Sequence, residues 1–116
     1  MKLILFLFLL SLVSGCVPTS KQDISLTDVG CENIDTSRSK LNDYKVTINF
    51  INKNYPKANL FWIDFEGKEV LYNIIDKGEE AIQESYASHP WVIRDESGNC
   101  LRVFVPNAEG AFQAEI

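Results

Sequence analysis

Between Tyr72 and Trp91 lie the chain's only histidine, His89, one of its two tryptophans and two of its four tyrosines. The densest part is Ser85-Tyr86-Ala87-Ser88-His89-Pro90-Trp91. Aromatic faces beside one hydroxyl and one imidazole suit a pocket that grips a small polar group. The rings take up apolar area, and the polar pair sets orientation. Covalent catalysis would need a nucleophile, a base and an orienting group together, and His89 has no acidic orienter near it in sequence. Asp64, Glu66, Glu84 and Asp95 are present for carboxylate chemistry, but on turns and strand edges such acids are usually solvated. Gly67, Gly78, Gly98 and Gly110 stand singly, so no phosphate-binding loop is expected. The expectation is a non-catalytic protein with no cofactor and no metal. Taken singly, Trp91 reads as core, Tyr72 and Tyr86 as strand aromatics and His89 as a surface side chain. Only their concurrence argues for a pocket. Trp62 and Phe65 read as core, with no binding role.

These residues must be positioned by short strands. Tyr44-Lys45-Val46-Thr47-Ile48-Asn49-Phe50 alternates strictly, which excludes a helix and turns Tyr44, Val46, Ile48 and Phe50 inward. After turn material at 52–57, Leu60 to Phe65 is apolar on both faces. Glu66-Gly67 closes a tight hairpin into Val70 to Ile75. A fourth strand runs from Glu80 to Tyr86, with Ala81, Ile82 and Tyr86 to bury. Trp91 to Arg94, Leu101 to Val105 and Ala111 to Ile116 complete the count. Seven short strands with turn residues between them predict an all-β fold, a seven-stranded antiparallel β-sandwich.

At the other end, Met1-Lys2 precedes an apolar run and Val13-Ser14-Gly15-Cys16. This pattern predicts a secretory signal peptide over 1–15, too short to span a bilayer of roughly 30 Å. It also fits a bacterial lipobox that would acylate Cys16 and anchor the protein in the cell envelope, at the outer membrane in a diderm organism. Residues 16–43 read as a lipidated N-terminus and mostly flexible tether, most open from Val17 to about Val29. The folded domain is expected at 44–116. Without residues 1–15, which hold one lysine, ten basic side chains face sixteen acidic ones, a net charge of −6. Such a balance makes nucleic acid an improbable partner. Cys31 and Cys100 remain, and in an exported domain two thiols are expected to pair. A metal site fits less well, because His89 would be its only nitrogen ligand.

Asn52, Leu60-Phe61-Trp62-Ile63-Asp64-Phe65-Glu66-Gly67, Tyr72, Gly78, Ser85-Tyr86, His89, Trp91, Arg94-Asp95 and Phe104-Val105-Pro106 together resemble the beta domain of the von Hippel-Lindau family. The resemblance covers about residues 44–116 and keeps its spacing from Trp62 to Asp95 without a gap. It implies a seven-stranded sandwich that recognises 4-hydroxyproline within an extended peptide. Trp91 would then be the pocket floor and Tyr72 a side wall. Ser85 and His89 would hydrogen-bond the ring hydroxyl, with Tyr86 beside the peptide. Glu84 stands where the human protein has a peptide-contacting histidine, so flanking preferences should differ. The family's elongin and ubiquitin-ligase partners are not expected of an exported chain. The expected function is a membrane-anchored peptide-binding module. The alternatives are an envelope scaffold lipoprotein that uses its sheet edges, or a periplasmic enzyme inhibitor.

Overall fold

The computed structural model describes residue 15 and residues 26–116. The expected leader, apart from Gly15, and the lipidation site at Cys16 lie outside the described residues. Among the described residues eight strands form, one more than expected: β1 (Leu26–Asp28), β2 (Lys45–Ile51), β3 (Lys57–Ile63), β4 (Glu69–Asp76), β5 (Glu80–Tyr86), β6 (Trp91–Arg94), β7 (Cys100–Pro106) and β8 (Gly110–Glu115), with a 3-10 helix at Cys31–Thr36. One sheet has the order β1-β7-β6-β3-β4 and the other β5-β2-β8. All pairs are antiparallel except β2 with β8, which run parallel.

The sandwich core follows from the alternation. Val46, Ile48 and Phe50 of β2 meet Leu60 of β3, Ile75 of β4, Trp91 and Ile93 of β6 and Phe104 of β7, all buried. Removing such surfaces from water contributes about 25 cal/mol per Å². The apolar second face of β3 also has a cause. Phe61 and Ile63 pack with Val92 and Val103 in a smaller cluster on the far side of the larger sheet. Val29, Cys31, Ile34 and Cys100 join it there.

That cover comes from residues read as tether. Leu26–Asp28 pairs with Phe104–Pro106 of β7, and the Val29 amide donates to the Val103 carbonyl at 2.9 Å. A disulfide joins Cys31 to Cys100, 69 residues apart, with Cα atoms 5.9 Å from each other. The expected flexibility up to Val29 therefore does not hold from Leu26 onward, because an open β7 edge and the apolar side of β3 and β6 both require a partner.

Three strand side chains expected inside are outside: Tyr44, Ile82 and Tyr86, the last 41% exposed at the end of β5. Tyr44 is 61% exposed; it precedes β2, where its amide donates to Asn42 Oδ1 and its carbonyl accepts from the Ala87 amide. Ile82 is 73% exposed, since the register sets it opposite Asn49 on the outer face of β2. The inward positions of β5 are Ala81, Gln83 and Ser85 instead.

The turn after β2 is built on Asn52, which is fully buried. Its Nδ2 donates to the Tyr55 and Ile75 carbonyls, each at 2.8 Å, and its Oδ1 accepts from the Tyr55 amide. Asn52→Ala would leave buried backbone groups unpaired, so it is expected to lower unfolding stability by about 2 kcal/mol. A urea midpoint equal to that of the parent protein would contradict this role.

Candidate functional site

Each wall of the site is placed by a local feature of the chain. In β4 the pairing skips one residue: Leu60 faces Asn73, and Phe61 faces Leu71. Tyr72 is the extra residue of this bulge, and bulges re-aim side chains. Its ring lies edge-on to Trp91 at 5.1 Å and to Trp62 at 6.1 Å. Trp91 opens β6 beside Phe104 of β7 and is only 2% exposed. It serves both as core, 6.0 Å from the Phe50 ring, and as pocket lining.

His89 is set by the turn from Tyr86. Ser88 takes a left-handed backbone, φ 65°, uncommon for a residue with a side chain. The turn is held by the Ser88 amide donating to the Pro106 carbonyl at 2.7 Å and the Ala87 amide to Tyr44. The imidazole stacks on Trp62 at 5.8 Å and meets Phe65 edge-on at 5.4 Å, with Tyr86 at 5.5 Å. Phe65 reaches this position from the β3–β4 turn. There Asp64 Oδ1 accepts from the Glu66 and Lys68 amides, and Gly67 supplies a positive φ.

The result is a pocket of about 300 Å³ lined by Trp62, Phe65, Tyr72, Glu84, Ser85, Tyr86, His89 and Trp91. All five residues expected at the site, Tyr72, Ser85, Tyr86, His89 and Trp91, are brought together in it. Trp62 and Phe65, expected only as core, are lining residues too, and Phe65 is 45% exposed. Two signals in the sequence mark them. Phe65 sits inside a turn, where side chains rarely reach a core, and an indole N–H that is withdrawn from water needs a partner.

That partner is Ser39. Trp62 Nε1 donates to Ser39 Oγ at 2.8 Å, and Ser39 Oγ donates to the Ile63 carbonyl at 2.6 Å. Nothing in the spacing of residues 16–43 points to it.

The polar groups of the pocket are few. Trp91 Nε1 donates to Ser85 Oγ at 2.9 Å. One lone pair of the hydroxyl is thereby used, while its own proton and another lone pair stay available. Burial lowers the His89 pKa from 6.5, and the Lys40 backbone opposes that shift. The ring is therefore neutral near pH 7, and a neutral imidazole has one nitrogen that donates and one that accepts. Because the folded value lies below the unfolded one, the stability from burying this neutral ring is present above 6.5 and is lost as pH falls from 6.5 through the folded value.

A family model described as VHL beta domain matches residues 37–110, more than half of the chain and every residue of the pocket lining. Comparison with curated proteins finds no match. The eight-stranded, almost entirely antiparallel sandwich and the clustered aromatic pocket agree with that family match. The chain belongs to the VHL beta domain family, a family of peptide-binding modules.

Proposed function

We propose that this protein is a non-catalytic module that binds an extended peptide through a 4-hydroxyproline side chain, and that it does so anchored in the bacterial envelope through lipid on Cys16. The observation that carries the reading is the donor and acceptor balance of the pocket. Ser85 has a free O–H to give, and the neutral His89 ring has a nitrogen that accepts. A ligand hydroxyl accepts from the first and donates to the second. The pyrrolidine ring beneath it would lie against Trp91 and Tyr72, losing apolar area from water. Plain proline would strip water from both polar groups and return nothing, at a cost of about 1–3 kcal/mol. The backbone of such a peptide has somewhere to go, since β4, which carries Tyr72 into the pocket, is an edge strand of the larger sheet.

The test is Ser85→Ala. The variant is expected to keep its fold and to lose discrimination, binding proline and hydroxyproline peptides within about twofold, against tenfold or more for the parent, the factor worth about 1.4 kcal/mol. Undiminished preference in the variant would remove Ser85 from the ligand contact. A pH series gives a second check. Affinity for the hydroxylated peptide is expected to be level from about pH 8 to 6.5 and to fall below that, as His89 protonates and its acceptor nitrogen becomes a donor. An affinity level down to about pH 5 would show that His89 does not accept from the ligand.

A further inference from the structure

We infer that residues 37–40 are a positioning strap for the pocket, clamped to the larger sheet by the Cys31–Cys100 bridge, so that ligand affinity follows the oxidation state of that bridge. The inference rests on the peptide-pocket reading above and extends it to a part of the chain whose clamp, Cys31, lies outside the residues the family model matches.

Two pocket walls depend on the strap. Trp62 donates its indole proton to Ser39 Oγ at 2.8 Å, and the Lys40 backbone near the His89 ring opposes the lowering of its pKa by burial. These two rings stack on each other, so the Ser39 bond that holds Trp62 also steadies His89 through the stack. Ser39 itself is only 3% exposed. Its hydroxyl donates to the Ile63 carbonyl at 2.6 Å and its amide to the Asp64 carbonyl at 3.0 Å.

The strap is continuous with the clamp. The Ser37 amide donates to the Ile34 carbonyl at 3.0 Å, and Ser37 Oγ donates to the Asn33 carbonyl at 2.7 Å, which joins the strap to the 3-10 helix that begins at Cys31. None of the six residues of that helix is buried. Apolar packing alone therefore holds it weakly, and a segment of this kind belongs to the low-stability end of a fold. The disulfide supplies the missing constraint.

Reduction is a two-electron step. A dithiol reductant transfers two electrons and two protons to the bridge, closes to a cyclic disulfide, and leaves Cys31 and Cys100 as thiols. With the helix released, Ser39 is no longer held against Trp62, and His89 loses the support of the stack. The indole then exchanges its protein partner for water, and the polar wall of the pocket loses its fixed geometry.

The experiment compares oxidised protein, dithiol-reduced protein and oxidised Ser39→Ala under conditions where far-UV circular dichroism shows all three folded. Two readouts are taken: affinity for the hydroxyproline peptide, and hydrogen exchange of the Trp62 indole N–H by NMR, which needs no ligand. Reduction and Ser39→Ala are each expected to weaken binding about tenfold, roughly 1.4 kcal/mol. They should also speed exchange at Trp62 while the core amides of Ile48 and Ile93 stay protected. Indole exchange that is unchanged by reduction overturns the inference. So does an affinity that is equal in the oxidised and reduced protein. If the reduced protein does not fold, the Ser39→Ala comparison decides alone, with unchanged indole exchange and affinity as the contrary result. Failure of the oxidised parent to prefer the hydroxylated peptide counts against the pocket reading, and the strap is then judged by indole exchange.

Discussion

Trp91→Ala is expected to lower the unfolding free energy by about 3–5 kcal/mol and to abolish peptide binding in the same variant. Two losses combine. The side chain is 2% exposed and lies between Phe50 of the core and Tyr72 of the pocket, so its removal opens a cavity that neighbouring strands cannot close. Its indole N–H is also the group that orients the Ser85 hydroxyl. Against a total stability of about 5–15 kcal/mol for a domain of this size, the first loss alone should shift a urea midpoint strongly. Trp91→Phe separates the two. It keeps most of the packing and removes the donor, so the stability deficit should shrink below about 2 kcal/mol while discrimination between proline and hydroxyproline stays impaired. If Trp91→Phe discriminates as well as the parent protein, the indole does not orient Ser85 for the ligand.

The second large effect belongs to the disulfide. Loss of the Cys31–Cys100 bridge is expected to cost about 4 kcal/mol, the chain-entropy value for a loop of roughly seventy residues. The covalent link also keeps the 3-10 helix over the cluster of Ile63, Val92 and Val103, whose apolar surface would otherwise meet water. Chemical unfolding of the oxidised protein and of a Cys31→Ala/Cys100→Ala variant measures this directly. A difference under about 1 kcal/mol would mean that the denatured chain keeps structure across the same loop, or that β1 and the strap hold the N-terminal segment without the bridge.

The layers of the sandwich were legible where burial is one-sided. In β2 the period of two marks Val46, Ile48 and Phe50 as core, and the structure agrees. In β3 the two-sided apolar pattern was legible, but the cover of its second face was not. Val29 and Ile34, which supply it, stand as single apolar residues in a polar stretch with no period to mark them. For β5 the most hydrophobic residue, Ile82, suggested the wrong inward set, because pairing with β2 fixes the face and places the polar Ser85 inside.

The site divides in the same way. Tyr72, Ser85, Tyr86, His89 and Trp91 are close in sequence, and a resemblance at fixed spacing groups them. Tyr72 reaches the pocket through a bulge, and no glycine or proline in β4 announces that irregularity. Ser39 and Lys40 act from twenty or more residues away through one hydroxyl and the backbone. A serine in a Ser- and Asp-rich stretch carries no sign of burial, so support of this type emerges only once the chain is folded.

The most direct test of the central claim is the affinity of the oxidised protein for two peptides that differ only in proline against 4-hydroxyproline, read by fluorescence anisotropy at about pH 7.5, where His89 is neutral. The account predicts at least a tenfold preference for the hydroxylated peptide, about 1.4 kcal/mol. Equal affinity for the two, or binding to neither, would contradict a hydroxyl-reading pocket and leave the aromatic cluster as sandwich packing.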